Sequence, residues 1–249
     1  AGLGKLGKHL ESLYDAATAA AKLGKVLDLP LESGQGDPLP RAEQPLALEL
    51  RDRSSQAITL ALAPGQRLGL IGCTLAHARL LDLLHGRTTS THFSARLDGH
   101  ESDQLELESL REQVVLVRGA ELVAGSVLDN LDGRAIASEG EPLGPLLDRL
   151  GLRERLLGLE QGLDTPLLPD ATPLDRSAAR RLALARGLLA RPRLLLIDRG
   201  LDGLGLEPGQ RAALLDWIFD RAQPWTLIVA SEDADLLARC DHRIELDHC

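Results

Sequence analysis

Pro64–Gly86 reads PGQRLGLIGCTLAHARLLDLLHG. An apolar strand, Leu68 to Ile71, runs into Gly72, and Leu80, Leu81, Leu83 and Leu84 follow at helical spacing. Strand, glycine and helix in this order frame a loop that cradles a nucleotide phosphate. In its usual form, G-x-x-x-x-G-K-[ST], backbone N–H groups and a lysine face the anion. Gly72 fills the first place and Thr74 lies within the loop, but His77, Ala78 and Arg79 stand in the last three. His77 sets a Cβ and a ring where the backbone should approach closely. Ala78 carries no charge, and Arg79 puts a cation where a hydroxyl would help hold Mg²⁺.

Outward from this stretch the pattern alternates between strands and helices. LALELRD (46–52) and AITLALA (57–63) alternate apolar and polar residues, as half-buried antiparallel strands do. LREQVVLV (110–117) reads as a further strand, and residues 127–163 as helical with breaks at Gly133, Gly140 and Gly151. A long Arg/Ala/Leu helix spans 174–191 and stops at Pro192. LLLID (194–198) and TLIVAS (226–231) are continuous apolar runs of the parallel-sheet kind. Towards the other end, Leu3, Leu6, Leu10, Leu13, Ala20, Leu23 and Val26 predict one or two amphipathic helices, and SGQGDPLP (33–40) a polar linker. The expected organisation is a helical segment over 1–32, a flexible linker over 33–43 and one domain over 44–249. The expected fold is α/β, with a mostly parallel sheet core of the P-loop NTPase type, an antiparallel β subdomain and an inserted α-helical subdomain over about 120–173.

The 249 residues suffice for a large core, and 44% hydrophobic with 26% charged content is ordinary for a soluble globular protein. Aromatics make up only 2%, so leucine and alanine must build that core. A net charge of −9 argues against a nucleic-acid surface, which needs clustered cations. No apolar run approaches the roughly 20 residues of a membrane span. Cys73, Cys240 and Cys249 show no paired spacing, which suits a reducing compartment. Cys240, His242, His248 and Cys249 match no zinc spacing, and no metal site is expected. The absence of methionine is expected of a piece excised from a longer chain or of one whose initiator has been removed, and no secretory signal is expected at the first residues.

Five stretches together carry a resemblance. They are APGQRLGLIG (63–72), LREQVVLVRGAELVAGSVLDNL (110–131), GLDTPLLPDATPLDRSAARRLALARGLLARPRLLLID (162–198), TLIVASEDADLLARCDHRIEL (226–246) and LGKHLESLYDAATAAAKLGKVLDLP (6–30). In order and spacing the chain resembles the nucleotide-binding domain of an ABC transporter, of the exporter or type I secretion kind fused to a membrane domain. The last stretch is similar to the connection from that membrane domain.

The resemblance assigns family roles that the residues present do not match. The glutamine that helps position Mg²⁺ falls at Gly119, preceded by Arg118. The L-S-G-G-Q signature, which caps the partner domain's nucleotide, reads Leu174, Asp175, Arg176, Ser177, Ala178. Asp175 would bring a carboxylate toward phosphate, and suits a helix N-cap better. Asp198 keeps the Mg²⁺-coordinating carboxylate, while the catalytic glutamate position is Arg199, a guanidinium that cannot act as a general base. The switch histidine falls at Glu232, and the loop Leu201–Gly205 lacks its usual final aspartate. No aromatic stands in LELRDRSSQ (48–56) to stack adenine. Asp198 is expected to pair with Arg199 or Arg79.

The resemblance therefore implies a non-hydrolysing domain with no catalytic residue and with ATP and Mg²⁺ binding lost or weak. Such a domain would sit on the cytoplasmic side of a membrane and pair with a membrane-spanning domain and a second nucleotide-binding domain, in a homo- or heterodimer. Because the family's sites are composites of one domain's phosphate loop and the other's signature, this chain would impair both. Two alternatives stay open: an ATPase using His77, Arg79 or Arg199 in unusual roles, and a soluble adaptor that uses the old pairing surface.

Overall fold

The computed structural model describes residues 36–131 and 143–246. The helices expected over 3–29, the segment 1–32, the breaks at Gly133 and Gly140, and the pair His248 and Cys249 lie outside the described residues. The described elements begin with strands β1 (Leu48–Asp52), β2 (Ile58–Leu62) and β3 (Arg67–Gly72), then helix α1 (Thr74–Leu84). β4 (Phe93–Leu97), β5 (His100–Glu101), α2 (Leu107–Gln113), β6 (Val114–Arg118), β7 (Gly125–Ser126) and α3 (Val127–Asn130) follow. After these come α4 (Leu143–Arg149), α5 (Arg153–Leu157), β8 (Pro166–Leu167), α6 (Arg176–Leu189) and β9 (Leu194–Asp198). The last are α7 (Pro208–Phe219), β10 (Thr226–Ala230), α8 (Ala234–Leu237) and β11 (His242–Leu246).

Five strands form a sheet in the order β11-β3-β10-β9-β6, and every pairing in it is parallel. A second sheet, β2-β1-β4-β5, is antiparallel throughout. The continuous apolar text of β9 and β10 has a direct cause: both faces of the parallel sheet are covered. Leu195, Ile197, Leu227 and Val229 enter one core, with α3 to α7; Leu194, Leu196, Ile228 and Ala230 enter the other, with α1 and the antiparallel sheet. Successive side chains of a strand alternate faces, so a strand buried on both sides must be apolar at every position. The half-buried β1 alternates instead, with Leu48 and Leu50 inward and Glu49 half-exposed.

Three expectations need correction here. The strand placed over 110–117 begins only at Val114, because Leu107–Gln113 forms α2, whose Leu110 is buried against the core. Within the linker expected over 33–43, of which residues 36–43 are described, Leu39 is packed rather than free, only 2% exposed. Its N–H donates to Ser109 Oγ (2.7 Å) and its carbonyl accepts from Gln113 Nε2 (2.8 Å). Cys73 is disulfide-bonded, so the thiols are not all free; Cys240 is free, and burial pushes it up to about 11.

Arg67, the first residue of β3, is 1% exposed and fastens the sheet to α7. Its guanidinium donates to the carbonyls of Gly65 (2.6 Å), Trp225 (2.7 Å) and Asp220 (2.6 Å). Burial lowers the pKa of Arg67, and four carbonyl partners (Phe219 is the fourth) replace the water it lost.

Candidate functional site

The C-terminal ends of β3, β6, β9 and β10 converge where an open parallel sheet holds ligands. At β3 the chain turns at Gly72, whose φ of +98° only glycine adopts without strain and whose added Cβ would meet the Leu246 carbonyl oxygen at 2.7 Å. The next residues differ from the sequence expectation. A phosphate-cradling loop needs an open arch between the first glycine and the sixth place; here α1 already begins at Thr74, with the His77 N–H donating to the Cys73 carbonyl (3.1 Å). Only Cys73 separates strand from helix. His77 does not face an anion site but is buried, 3% exposed, with its Nε2 lacking a hydrogen-bond partner. Arg79 lies on the exposed side of the helix.

Asp198 ends β9 and is buried. The expected partner, Arg199 or Arg79, is corrected by the structure to Arg118. Parallel register sets Arg118, the last residue of β6, directly beside Asp198. Arg118 Nε donates to Asp198 Oδ2 at 2.6 Å, Nη1 donates to Asp82 Oδ1 of α1 at 3.0 Å, and Nη2 to the Ala78 carbonyl at 3.4 Å. One guanidinium thus joins the acidic strand and the helix, at Asp82 and at Ala78, the seventh place of the motif. Burial pulls the pKa of Arg118 down, but the hydrogen bond and charge of Asp198, then those of Asp82, outweigh it and hold the group above its ordinary range. The sequence noted Arg118 only as the neighbour of Gly119. The available signal was positional: an arginine and an aspartate, each closing an apolar strand, meet when those strands are parallel neighbours.

Arg199 stands just beyond Asp198 with φ of +53°, and its side chain turns away from the aspartate. Arg199 Nη1 donates to Thr74 Oγ1 (3.2 Å), Nη2 lies 3.6 Å from Glu232 Oε1, and Nε lies 3.6 Å from Asp202 Oδ2. The base and switch positions therefore carry a cation and an anion that face each other. Asp202 also accepts from Ser231 Oγ at 2.8 Å.

The signature positions are likewise engaged within the chain. Asp175 caps α6 by accepting from the Ala178 N–H (2.8 Å), as expected, and also accepts from Ser177 Oγ (2.7 Å) and pairs with Arg155 (2.6 Å). The Ala178 N–H first, then the Ser177 hydroxyl, hold its carboxyl below the usual range. Arg176 is exposed. Gly205 lies against Ser177, where an added Cβ would come within 2.9 Å of Oγ.

No protein-family model matches the chain. Over 219 residues it is 33% identical to the glutathione/L-cysteine transport system ATP-binding/permease protein CydD of Escherichia coli, covering 83% of this chain and 37% of that protein. It is 27% identical to the ATP-dependent lipid A-core flippase of Alkalilimnicola ehrlichii, covering 95% of this chain and 44% of the flippase. The structure of a bacterial Atm1-family ABC exporter with ATP bound superposes with a TM-score of 0.71 over 98% of this chain and 45% of that one, at 19% identity. The chain is a homologue of ABC exporter ATP-binding proteins. Its parallel core with an antiparallel sheet is the nucleotide-binding-domain fold of an ABC exporter, and it spans less than half the length of these relatives. Among the described residues no helix is long and apolar enough to cross a membrane.

In ABC exporters this fold implies ATP and Mg²⁺, and the residues present here do not fit them. The arch for the phosphates is wound into α1, and the carboxylate that would meet Mg²⁺ is held by a guanidinium.

Proposed function

We propose that the chain is a nucleotide-binding-type domain of an ABC exporter or secretion system that keeps the fold for pairing and coupling and does not hydrolyse ATP. It would pair with a second such domain and with a membrane-spanning domain, on the cytoplasmic side of the membrane. One observation supports the reading: Arg118 is bonded both to Asp198, the carboxylate expected to meet Mg²⁺, and to Asp82. A guanidinium fixed by two carboxylates repels Mg²⁺ and already occupies Asp198 Oδ2. The engagement of Arg199 with Thr74, Asp202 and Glu232 supports the same reading over an ATPase of unusual residues, because no group at the base position can accept a proton.

Isothermal titration of MgATP into the chain tests it, with phosphate release measured in parallel. No binding heat at millimolar nucleotide and no phosphate release are expected; micromolar affinity overturns the proposal.

A further inference from the structure

At the opposite end of the sheet, where β9 and β10 begin, a cleft of about 460 Å³ opens, within the usual range for small-molecule sites. Of its apolar lining, Trp217 is half-buried and gives the accessible surface, while Leu188 and Trp225 are almost fully buried and Leu146 wholly so. The two indoles, which are the chain's only tryptophans, meet edge-to-face with centroids 5.7 Å apart. Their placement is fixed: Trp225 is buried and donates from Nε1 to the Ile218 carbonyl (3.1 Å), and the Arg149 guanidinium lies 5.1 Å from the Trp217 ring.

The polar lining divides into engaged and free groups. Arg193 is 6% exposed and saturated, donating to the Gln44 and Pro40 carbonyls, Gln113 Oε1 and Asp98. Glu43 and Arg191 are exposed, and neither side chain has an ion pair or hydrogen bond among the described residues. Arg191 holds a φ of +52°, a strained backbone for a non-glycine residue, at the turn that presents it between α6 and β9. The lining thus offers a free cation, a free anion and an aromatic ring.

We propose that this cleft binds a small zwitterion with a bulky apolar body, of the α-amino acid class. Its carboxylate would meet Arg191, its ammonium Glu43, and its apolar body the half-buried Trp217 ring beside Trp225. A simple acid would meet the Glu43 carboxylate unfavourably, and a simple amine the Arg191 guanidinium; only a ligand with both charges complements both groups. The proposal is independent of nucleotide binding, since the cleft and Asp198 lie at opposite ends of β9.

Because both tryptophans line the cleft, intrinsic fluorescence reports its occupancy directly. The probes are L-phenylalanine, 3-phenylpropionate (no ammonium) and phenethylamine (no carboxylate), titrated into the whole chain and repeated by calorimetry. L-Phenylalanine is expected to give a saturable fluorescence change, with each one-charge analogue about tenfold weaker, the loss of one charge-assisted contact. Arg191→Gln is expected to weaken L-phenylalanine and 3-phenylpropionate and spare phenethylamine; Glu43→Gln should do the reverse for the two analogues. Three results overturn the proposal: no saturable response to L-phenylalanine at millimolar concentration, an analogue that binds as tightly as the amino acid, or affinities that neither substitution moves.

Discussion

Arg118 shows how one side chain can tie the ends of two neighbouring strands to a helix. Asp198 is nearly buried, its side chain 7% exposed, so taking away its guanidinium strands a charge in the sheet. Arg118→Met is expected to destabilise the fold by about 3 kcal/mol, whereas Arg118→Met with Asp198→Leu should recover most of that loss, because the buried carboxylate goes with its partner and the more exposed Asp82 keeps Arg87. Urea unfolding midpoints at an unchanged m-value check both. His85, at the end of α1, gives a second residue-level prediction. Burial, then the charges of Arg87 and Arg111, lower its pKa to about 4, and its Nδ1 is buried without a partner. The native state therefore holds the imidazole neutral, while the unfolded chain takes up a proton below the ordinary pKa of about 6.5. Stability from this group is constant above that pH and falls as pH drops from about 6.5 toward 4, by about 1–2 kcal/mol after allowing for solvent screening. Unfolding at pH 7 and pH 5 should show this slope, and His85→Asn should flatten it.

Elements obey the sequence pattern wherever burial sets the residue type. β9 and β10 were legible as buried parallel strands because both faces demand apolar side chains, and Asp175 was legible as a cap because a carboxylate before a helix has an evident donor to satisfy. Asp175→Ala is accordingly expected to cost about 1 kcal/mol in a thermal or urea melt, with Asn substantially restoring it. The strand end at 110–113 was misread since LREQ has no period of its own to separate a helical turn from a strand start. The start of α1 at Thr74 went unread for a related reason: a motif's frame specifies the strand and the helix but not where the helix begins once the glycine is gone. Arg118 escaped because its partner lies 80 residues away and only sheet order brings them together. Gly187 in α6 tests element packing. An exposed helical Gly→Ala change stabilises by about 1 kcal/mol, but here the added Cβ would clash with Val117 Cγ2 of β6. Gly187→Ala is therefore expected to destabilise, by about 1–3 kcal/mol, reversing the usual sign, as measured by urea melts.

At the scale of the whole molecule, the proposed loss of nucleotide binding rests on three features: the early start of α1, Arg118 and the Arg199–Glu232 pair. Reverting only the motif letters, with His77→Gly, Ala78→Lys and Arg79→Ser, is therefore expected to leave MgATP binding absent in calorimetry. Any gain should require Arg118→Gln as well, and binding by the triple variant alone would show that Arg118 is no obstacle. The guanidinium also changes what the surroundings can do to the domain. A metal ion arrives from solution and leaves when its concentration falls, while the cation on Arg118 is tethered, present at the same local concentration in every condition and charged at every pH a cell attains. The chain carries its own permanent counterion, and its folding should be indifferent to magnesium supply and to chelators alike.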